Sequence, residues 1–230
     1  MSDGNRKDAV TGPKLRQALQ ERLAERAPRS LQEEAPPTVR RAAVVLGVTE
    51  LGQGARVGGL PDYGDWQRQP ALLLTRRPAH MRRHAGQWAL PGGRLDPSET
   101  PAQAALRELE EEVGLSLGDD AILGRLDDYE TASGFIIRPL VLWLGRAEVL
   151  TLDPQEVASA HRIPFTELLR RDAPLLTPID DSEHPVLRMP VGDDSIAAPT
   201  AALLYQFREW CLLGRSTPVA HFSEPHFARR

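Results

Sequence analysis

The feature that most constrains this chain is an acidic run inside a strongly marked helix, in the segment Gly93–Leu115. Glu108, Glu111 and Glu112 stand at positions i, i+3 and i+4, so a helix places their three carboxylates on one face. Like charges at this spacing repel each other and destabilise an isolated helix. We therefore expect a cation between them, and a hard divalent ion such as Mg²⁺ or Mn²⁺ is the natural candidate because its preferred ligands are oxygens.

The sequence predicts both ends of this helix. Thr100 is a good N-cap, Pro101 suits the first helical position, and Gln103 completes a capping box. Gly114 ends the helix, because glycine readily adopts the left-handed conformation of a C-cap. The apolar stripe that would pack on a core comprises Ala102, Ala105, Leu109 and Val113. Ahead of the helix, Pro91-Gly92-Gly93 can bend tightly enough to present a backbone carbonyl to the same ion.

The spacing of the fixed residues in this segment matches a known signature. It reads glycine, five residues, glutamate, seven residues, and then Arg-Glu-aliphatic-x-Glu-Glu-x-Gly-aliphatic, filled here by Gly93, Glu99, Arg107, Glu108, Leu109, Glu111, Glu112, Gly114 and Leu115. In this the chain resembles the Nudix hydrolases. The resemblance implies the α/β/α sandwich of that family, with a mixed sheet between helices, and metal-dependent hydrolysis of a diphosphate linkage. The alternative, a solvated acidic helix face, leaves the glycine hinge and the caps unexplained.

The resemblance also implies roles for individual residues. The metal ligands would be Glu108, Glu111, Glu112 and the Gly92 carbonyl. Glu99 and Arg107 would hold the preceding loop against the helix. The base that activates water would be Glu111 or Glu156, and the sequence does not decide between them. Asp153 and Glu156 could equally form the capping box of a short turn.

A basic stretch lies between the predicted strand Ala71–Thr75 and the acidic helix. Its arginines are Arg76, Arg77, Arg82 and Arg83. They are candidate phosphate contacts, because arginine binds phosphate bidentately, although a solvated basic loop paired with acidic neighbours is the alternative. The stretch resembles the pattern of the coenzyme A pyrophosphatases within the Nudix group, matched by Leu73, Leu74, Thr75, Arg77, Arg82, Gly86, Pro91, Gly92 and Gly93. Pro78 and Leu90 depart from that pattern, and Ala197–Ala201 keeps only the Thr-Ala end of a later motif.

Three hypotheses for function follow. The first is hydrolysis of coenzyme A or acyl-coenzyme A to 3′,5′-ADP and (acyl-)phosphopantetheine. The second keeps the chemistry and changes the substrate to ADP-ribose, a dinucleotide or a nucleoside triphosphate. The third is a non-catalytic Nudix domain that senses a nucleotide-like ligand. Such a domain would be expected to have lost metal-binding glutamates, since clustered carboxylates without a cation cost stability.

Composition bounds the domain organisation and the location of the protein. A chain of 230 residues with 41% hydrophobic residues predicts one large domain over 38–214, with a tail, helix and linker in 1–37 and a tail in 215–230. The net charge of −4 argues against general nucleic-acid binding, and no apolar run predicts a membrane span. With no apolar signal segment at the start and Cys211 as the single cysteine, we expect a cytoplasmic protein. The sequence is compatible with a homodimer.

Local patterns predict the remaining elements. Helices are expected over Lys14–Arg26, Thr166–Arg171 and Pro199–Leu213, and strands over Arg40–Thr49, Ala71–Thr75, Ala121–Tyr129 and Phe135–Leu144. Leu51–Gln69 is rich in glycine and polar residues and is expected to be a long exposed loop. Asp172–Gly192 has no pattern that we can assign. His161 is expected to be a packed or surface residue rather than a ligand.

Overall fold

The computed structural model describes residues 10–36, 38–81, 84–179 and 182–219. The helices are α1 Pro13–Ala24, α2 Pro101–Val113, α3 Phe165–Leu168 and α4 Thr200–Phe207, and a π-helical segment, Arg208–Leu212, continues α4. The strands are β1 Arg40–Gly54, β2 Asp62–Arg76, β3 Trp88–Ala89, β4 Gly92–Arg94, β5 Ile122–Arg125, β6 Tyr129–Glu130, β7 Phe135–Gly145, β8 Ser159–Pro164, β9 Leu175–Ile179, β10 Ser182–Val191 and β11 Asp194–Ala197. Arg82, Arg83 and most of both predicted tails lie outside the described residues.

A mixed sheet with the strand order β3-β2-β1-β7-β5 forms the centre of the fold. Its central strand, β1, pairs antiparallel with β2 on one side and parallel with β7 on the other. The short strand β4 pairs with the first part of β1, with Gly92 opposite Val44 and Gly93 opposite Ala43. This pairing anchors the glycine pair ahead of α2 on the middle strand of the sheet.

Alternation along β1 separates the two faces of this sheet. Ala43 and Val45 contact the cluster that α2 completes through Ala105 and Leu109, all of them buried. On the other face, Leu46 and neighbouring residues of β1 and β2 belong to a second cluster covered by α1, α4 and the small antiparallel sheet β11-β10-β9. A mixed sheet with helices on both faces is the predicted α/β sandwich, and this prediction is confirmed.

Two expectations about local structure were wrong. Leu51–Gln69, expected to be an exposed loop, contains the end of β1 and the start of β2, and only residues 55–61 connect them. The pairing between the two strands shifts register between Glu50 and Gly54, at the glycines. The polar segment therefore extends the β1–β2 hairpin instead of ending it. The predicted strand over Ala121–Tyr129 is divided between β5 and β6, and Asp172–Gly192 contains β9 and β10.

The predicted linker before β1 is tied to the sheet by Arg138 of β7. This buried guanidinium donates to Asp128 at 2.9 and 2.8 Å and to Glu33 at 2.7 and 2.8 Å. Asp128 also accepts the backbone N–H groups of Leu31 and Gln32, at 2.8 and 2.9 Å. The hydrogen bonds from Arg138 lower the pKa of Glu33 to about 2. The linker is therefore held by the buried pair Arg138 and Asp128 and by the exposed Glu33, rather than by apolar contacts alone.

None of the helices within the described ranges combines the length and the apolar character that a membrane-spanning segment requires.

Candidate functional site

Helix α2 begins and ends as its sequence predicts. The Thr100 hydroxyl accepts the backbone N–H of Gln103 at 3.3 Å, and the Gln103 side chain accepts the backbone N–H of Thr100 at 2.9 Å. Gly114 has φ 73° and donates its N–H to the Glu110 carbonyl at 2.9 Å. These caps, together with the buried side of the helix at Leu109, fix how its acidic residues are presented.

Three carboxylates converge where α2 meets the turn that precedes β8. Within the described residues, Glu108, Glu112 and Glu156 form the one group of metal-ligating side chains, with an oxygen of each within 4.8 Å of the others. The backbone N–H of Asp153 donates to the Glu112 carbonyl at 3.1 Å, and Asp153 Oδ1 accepts the N–H of Gln155 at 2.9 Å. These bonds hold the turn that carries Glu156 against the end of α2.

The environment of this cluster favours a cation. Burial, with the charges of Glu108 and Glu156, raises the pKa of Glu112 to about 8, and Arg77 and the backbone N–H of Gly92 only partly oppose this shift. The pKa of Glu108 is also raised, mainly by burial. Glu112 is only 4% exposed, so water screens its charge poorly. Converging carboxylate oxygens in such a place fit a hard divalent ion, which prefers oxygen ligands.

Arg107 links the loop before α2 to the helix. Its guanidinium donates to Glu99 at 2.9 and 3.0 Å, to the Arg94 carbonyl at 3.1 Å, and to Glu108 at 2.9 Å. The hydrogen bonds from Arg107 lower the pKa of Glu99. These bonds join the loop to the helix, and the positioning role of Glu99 and Arg107 in the reaction stays a prediction.

The predicted metal ligands do not all meet in this structure. Glu108 and Glu112 do, whereas Glu111 lies outside the group of three; its side chain is 60% exposed and accepts a hydrogen bond from Arg107 at 2.9 Å. Glu156 is the third member of the group, where we had predicted Glu111. At Gly92 the backbone N–H faces Glu112, and a metal-binding role for the Gly92 carbonyl stays a prediction.

Close packing explains the glycine pair of β4. A Cβ atom at Gly93 would lie 2.1 Å from Oε1 of Glu108, and a Cβ atom at Gly92 would lie 2.3 Å from the Ala43 carbonyl oxygen. Gly92 also has φ 147°, which L side chains rarely adopt. Both positions therefore require glycine. At Gly92 the backbone conformation and the nearby Ala43 carbonyl exclude a side chain, and at Gly93 a side chain would collide with the Glu108 carboxylate.

We expect Gly93→Ala to weaken Mn²⁺ binding by about 10- to 100-fold, the range seen when the support of a metal ligand is disturbed. The new methyl group displaces the carboxylate end of Glu108, which is flexible, so the loss of folding stability should be small. Titration calorimetry with Mn²⁺ measures the effect. Gly64→Ala is the matched control, because nothing lies within 4 Å of the Cβ atom it would add. Equal Mn²⁺ affinity in both variants would contradict this interpretation of Gly93.

Of the arginines predicted to contact phosphate, the two that the structure describes, Arg76 and Arg77, have different surroundings. Arg77 lies near enough to Glu112 to lower its pKa, and its Nε is buried without a hydrogen-bond partner. Arg76 is engaged elsewhere: it pairs with Asp194, donates to the Gly86 carbonyl at 3.3 Å and packs over the ring of Trp88 at 4.1 Å. Sequence reasoning missed Asp194, which no local pattern singles out. Arg82 and Arg83 are outside the described residues.

His161 is a packed residue. Its Nδ1 lies 2.9 Å from the Ala55 carbonyl, its Nε2 lies 2.7 Å from Ser159 Oγ, and its ring meets Trp88 edge-on at 4.9 Å. Burial lowers its pKa. The prediction that His161 packs rather than binds a metal agrees with these contacts.

The raised pKa of Glu112 predicts a pH dependence for the metal-free protein. This carboxyl ionises near pH 4.5 in the unfolded chain but near pH 8 in the fold, so the folded state holds the extra proton between these values. Its stability contribution is therefore full below about pH 4.5 and is lost as the pH rises through about 8, by up to about 5 kcal/mol. Thermal unfolding in EDTA from pH 5 to pH 9 measures this loss, and Mn²⁺ should restore more stability at pH 8 than at pH 6. A pH profile that is the same in Glu112→Gln would contradict the assignment.

The chain is similar to a known domain family and to curated proteins. The NUDIX domain family model matches residues 55–184, more than half of the chain. A relative described as uncharacterized Nudix hydrolase NudL, from Yersinia enterocolitica, is 42% identical over 103 residues, which are 44% of this chain and 53% of the relative. Its counterpart from Photorhabdus laumondii is 42% identical over 102 residues, 44% of this chain and 54% of that protein. The match thus spans about half the length of these curated relatives.

A solved structure of a MutT/nudix family protein from Enterococcus faecalis is also similar to this chain. It is 16% identical, and the alignment covers 87% of this chain and 74% of that one with a TM-score of 0.49.

Proposed function

The chain belongs to the Nudix family, and we propose that it hydrolyses the diphosphate linkage of coenzyme A or acyl-coenzyme A, giving 3′,5′-ADP and (acyl-)phosphopantetheine. One observation carries the proposal of hydrolysis: Glu108, Glu112 and Glu156 converge within 4.8 Å of one another, beside the guanidinium of Arg77. The choice of coenzyme A rests on the resemblance of the segment from Leu73 to Gly93 to the pattern of the coenzyme A pyrophosphatases.

The converging carboxylates would hold Mg²⁺ or Mn²⁺. Glu108 and Glu112 supply oxygen ligands, and the Gly92 carbonyl and Glu111 are further candidates. Glu156 lies beside them, with an oxygen within 4.8 Å of theirs, and stays available for the proton. When bound, the ion would make a water molecule more acidic, polarise the phosphorus and neutralise the charge of the leaving phosphate.

The protein's own residues would position the substrate and handle the proton. Arg77 is the best phosphate contact in the described part of the basic stretch, because it lies near Glu112 whereas Arg76 pairs with Asp194, and a guanidinium can bind phosphate bidentately. Glu111 and Glu156 are the candidates for the base, since both are exposed and can reach water. Arg107 holds one oxygen of Glu111, so we favour Glu156 as the base.

The retained carboxylates distinguish an enzyme from a non-catalytic sensor. A domain that only senses a ligand has no need of a cluster that raises the pKa of a buried carboxyl and destabilises the metal-free fold. The complete signature, including Glu99 and Arg107 in their positioning roles, supports the catalytic alternative.

Product identification tests the proposal. The protein is incubated with Mg²⁺ in ¹⁸O-labelled water with coenzyme A, and separately with ADP-ribose and a dinucleotide, and the products are identified by mass spectrometry. We expect 3′,5′-ADP and phosphopantetheine from coenzyme A, with the label in one of the two new phosphate groups. Turnover of ADP-ribose without turnover of any coenzyme A form would reject this substrate, and no turnover of any diphosphate would reject the enzyme.

A further inference from the structure

Two adjacent arginines at the end of β2 serve opposite sides of the central sheet. Neighbouring residues of an extended chain point to opposite faces. The guanidinium of Arg76 packs over the ring of Trp88 at 4.1 Å, and Trp88 belongs to the cluster covered by α1, α4 and the small sheet. Arg77 lies near Glu112, on the side of α2. Whatever holds Arg76 on its side therefore also determines where Arg77 stands on the other.

Asp194 of β11 ties together the two strands that end beside these arginines. Its carboxylate pairs with the guanidinium of Arg76 and accepts the Nε1–H of Trp88 at 3.0 Å. Arg76 and Trp88 are opposite each other in the pairing of β2 with β3. Arg76 also donates to the Gly86 carbonyl at 3.3 Å. One carboxylate of the small sheet thus holds both strands of this short ladder.

Arg77 is the next residue of the same ladder. Its backbone N–H donates to the Gln87 carbonyl at 3.0 Å, and its carbonyl accepts the N–H of Gly86 at 3.1 Å. These two hydrogen bonds, which we call the ladder end, lie one step beyond the clamped pair of Arg76 and Trp88. Loosening that pair should therefore loosen the backbone of Arg77.

Asp194 is itself firmly placed. Its Oδ1 accepts the backbone N–H of Ser195 at 2.7 Å, and it directly follows the tight turn at Gly192, where φ is 52°. The N–H of Asp193 in this turn donates to the Gly58 carbonyl at 2.8 Å. The carboxylate therefore projects from a turn that is bonded to the connection between β1 and β2.

We propose that Asp194 is a positioning residue for the hydrolysis: by holding Arg76 it fixes Arg77 beside the carboxylate cluster, where Arg77 can bind a phosphate. The inference rests on the proposed function, which makes Arg77 the phosphate contact. It gives Arg76 the role of supporting its neighbour rather than of binding phosphate itself. The side chain of Asp194 is 43% exposed, so its removal should loosen the ladder end while the fold as a whole stays stable.

Amide hydrogen exchange tests this link without any turnover. We expect Asp194→Ala to speed the exchange of the Arg77 and Gly86 N–H groups about tenfold, the effect of losing one charge-assisted hydrogen bond. The matched control is Glu148→Ala, because Glu148 is also about half exposed and pairs with an arginine, Arg146, at 2.9 Å. The control should leave both rates unchanged. Unchanged rates in Asp194→Ala would overturn the inference.

Steady-state kinetics with Mg²⁺ tests the consequence for the reaction. Asp194→Ala should raise KM about tenfold with little change in kcat, since it weakens a contact made by substrate and transition state alike. Asp194→Glu, which keeps the charge, should recover part of this loss. In an Arg77→Gln background, Asp194→Ala should change KM less than about twofold, because the residue that it positions is already gone. Thermal unfolding checks that each variant is folded.

Two kinetic results would overturn the inference. The first is an equal loss in both backgrounds, which a purely structural residue would give. The second is a lower KM in Asp194→Ala, which would mean that the released Arg76 binds phosphate. If ADP-ribose is split but coenzyme A is not, the proposed substrate fails and the same kinetics with ADP-ribose decide the inference. If no diphosphate is split, the proposed function fails, and hydrogen exchange still decides whether Asp194 holds the ladder end.

Discussion

Replacing Glu112 by glutamine should lower turnover about 10³-fold or more while making the metal-free protein more stable at alkaline pH. A ligand that contributes several kcal/mol to transition-state stabilisation accounts for a loss of this size. The gain in stability has a different cause: glutamine removes a buried charge that lies near Glu108 and Glu156. Steady-state kinetics with Mg²⁺ and thermal unfolding in EDTA at pH 9 measure the two effects.

The control for this substitution is Glu110→Gln on the same helix. Glu110 is exposed and is not part of the carboxylate cluster, so its loss should change turnover less than about twofold, as expected for a surface substitution. The opposite signs of the two Glu112 effects make the prediction specific. A variant that kept near-normal turnover, or that lost stability in EDTA at pH 9, would show that Glu112 is a structural residue.

Replacing Arg138 by methionine should destabilise the fold by about 3–5 kcal/mol, the cost of leaving a buried partner charge uncompensated. Its partner Asp128 has no exposed side-chain surface. Without Arg138 it would keep the backbone N–H donors of Leu31 and Gln32 and a long ion pair of 3.7 Å from its Oδ1 to Nη1 of Arg125. The linker around Glu33 would lose its attachment to β7 as well. For a chain of this size, the unfolding midpoint should fall by about 6–20 °C.

Arg146→Met is the matched control for stability. Arg146 forms an ion pair with Glu148, but both side chains are more than half exposed, so the loss should not exceed about 1 kcal/mol. Chemical denaturation of the two variants gives the comparison. If Arg138→Met unfolded at the same denaturant concentration as Arg146→Met, the buried network would not be what holds the linker.

The parts of this protein that follow local rules could be predicted from the sequence. The capping box at Thr100 and the glycine C-cap at Gly114 involve residues a few positions apart, so spacing alone determined both ends of α2. The apolar stripe of that helix likewise identified the face that packs on β1. The four-residue spacing of Glu108 and Glu112 in the signature likewise predicted that their side chains lie next to each other on one helix face.

Features that depend on distant parts of the chain could not be predicted. Glu156 was a candidate only through the family resemblance, because it reaches the cluster through a turn that is bonded to the end of α2, and spacing in one sequence does not reveal that contact. The sequence gives no reason to distinguish the adjacent residues Arg76 and Arg77 as phosphate contacts. In the structure, however, Arg76 forms an ion pair with Asp194, which is far away in the sequence. The hairpin continuing through Leu51–Gln69 was missed because its strands are polar and contain glycine, and pairing between them, not composition, makes them strands.

The most direct test of the carboxylate cluster as a metal centre is a crystal structure of the protein soaked in Mn²⁺, with the ion located by its anomalous scattering. We expect at least one ion bound by oxygens of Glu108 and Glu112, at roughly the 2.0–2.2 Å typical of small divalent ions, with Glu156 close enough to complete its surroundings. No anomalous peak at this position, with the three carboxylates turned apart, would contradict the account.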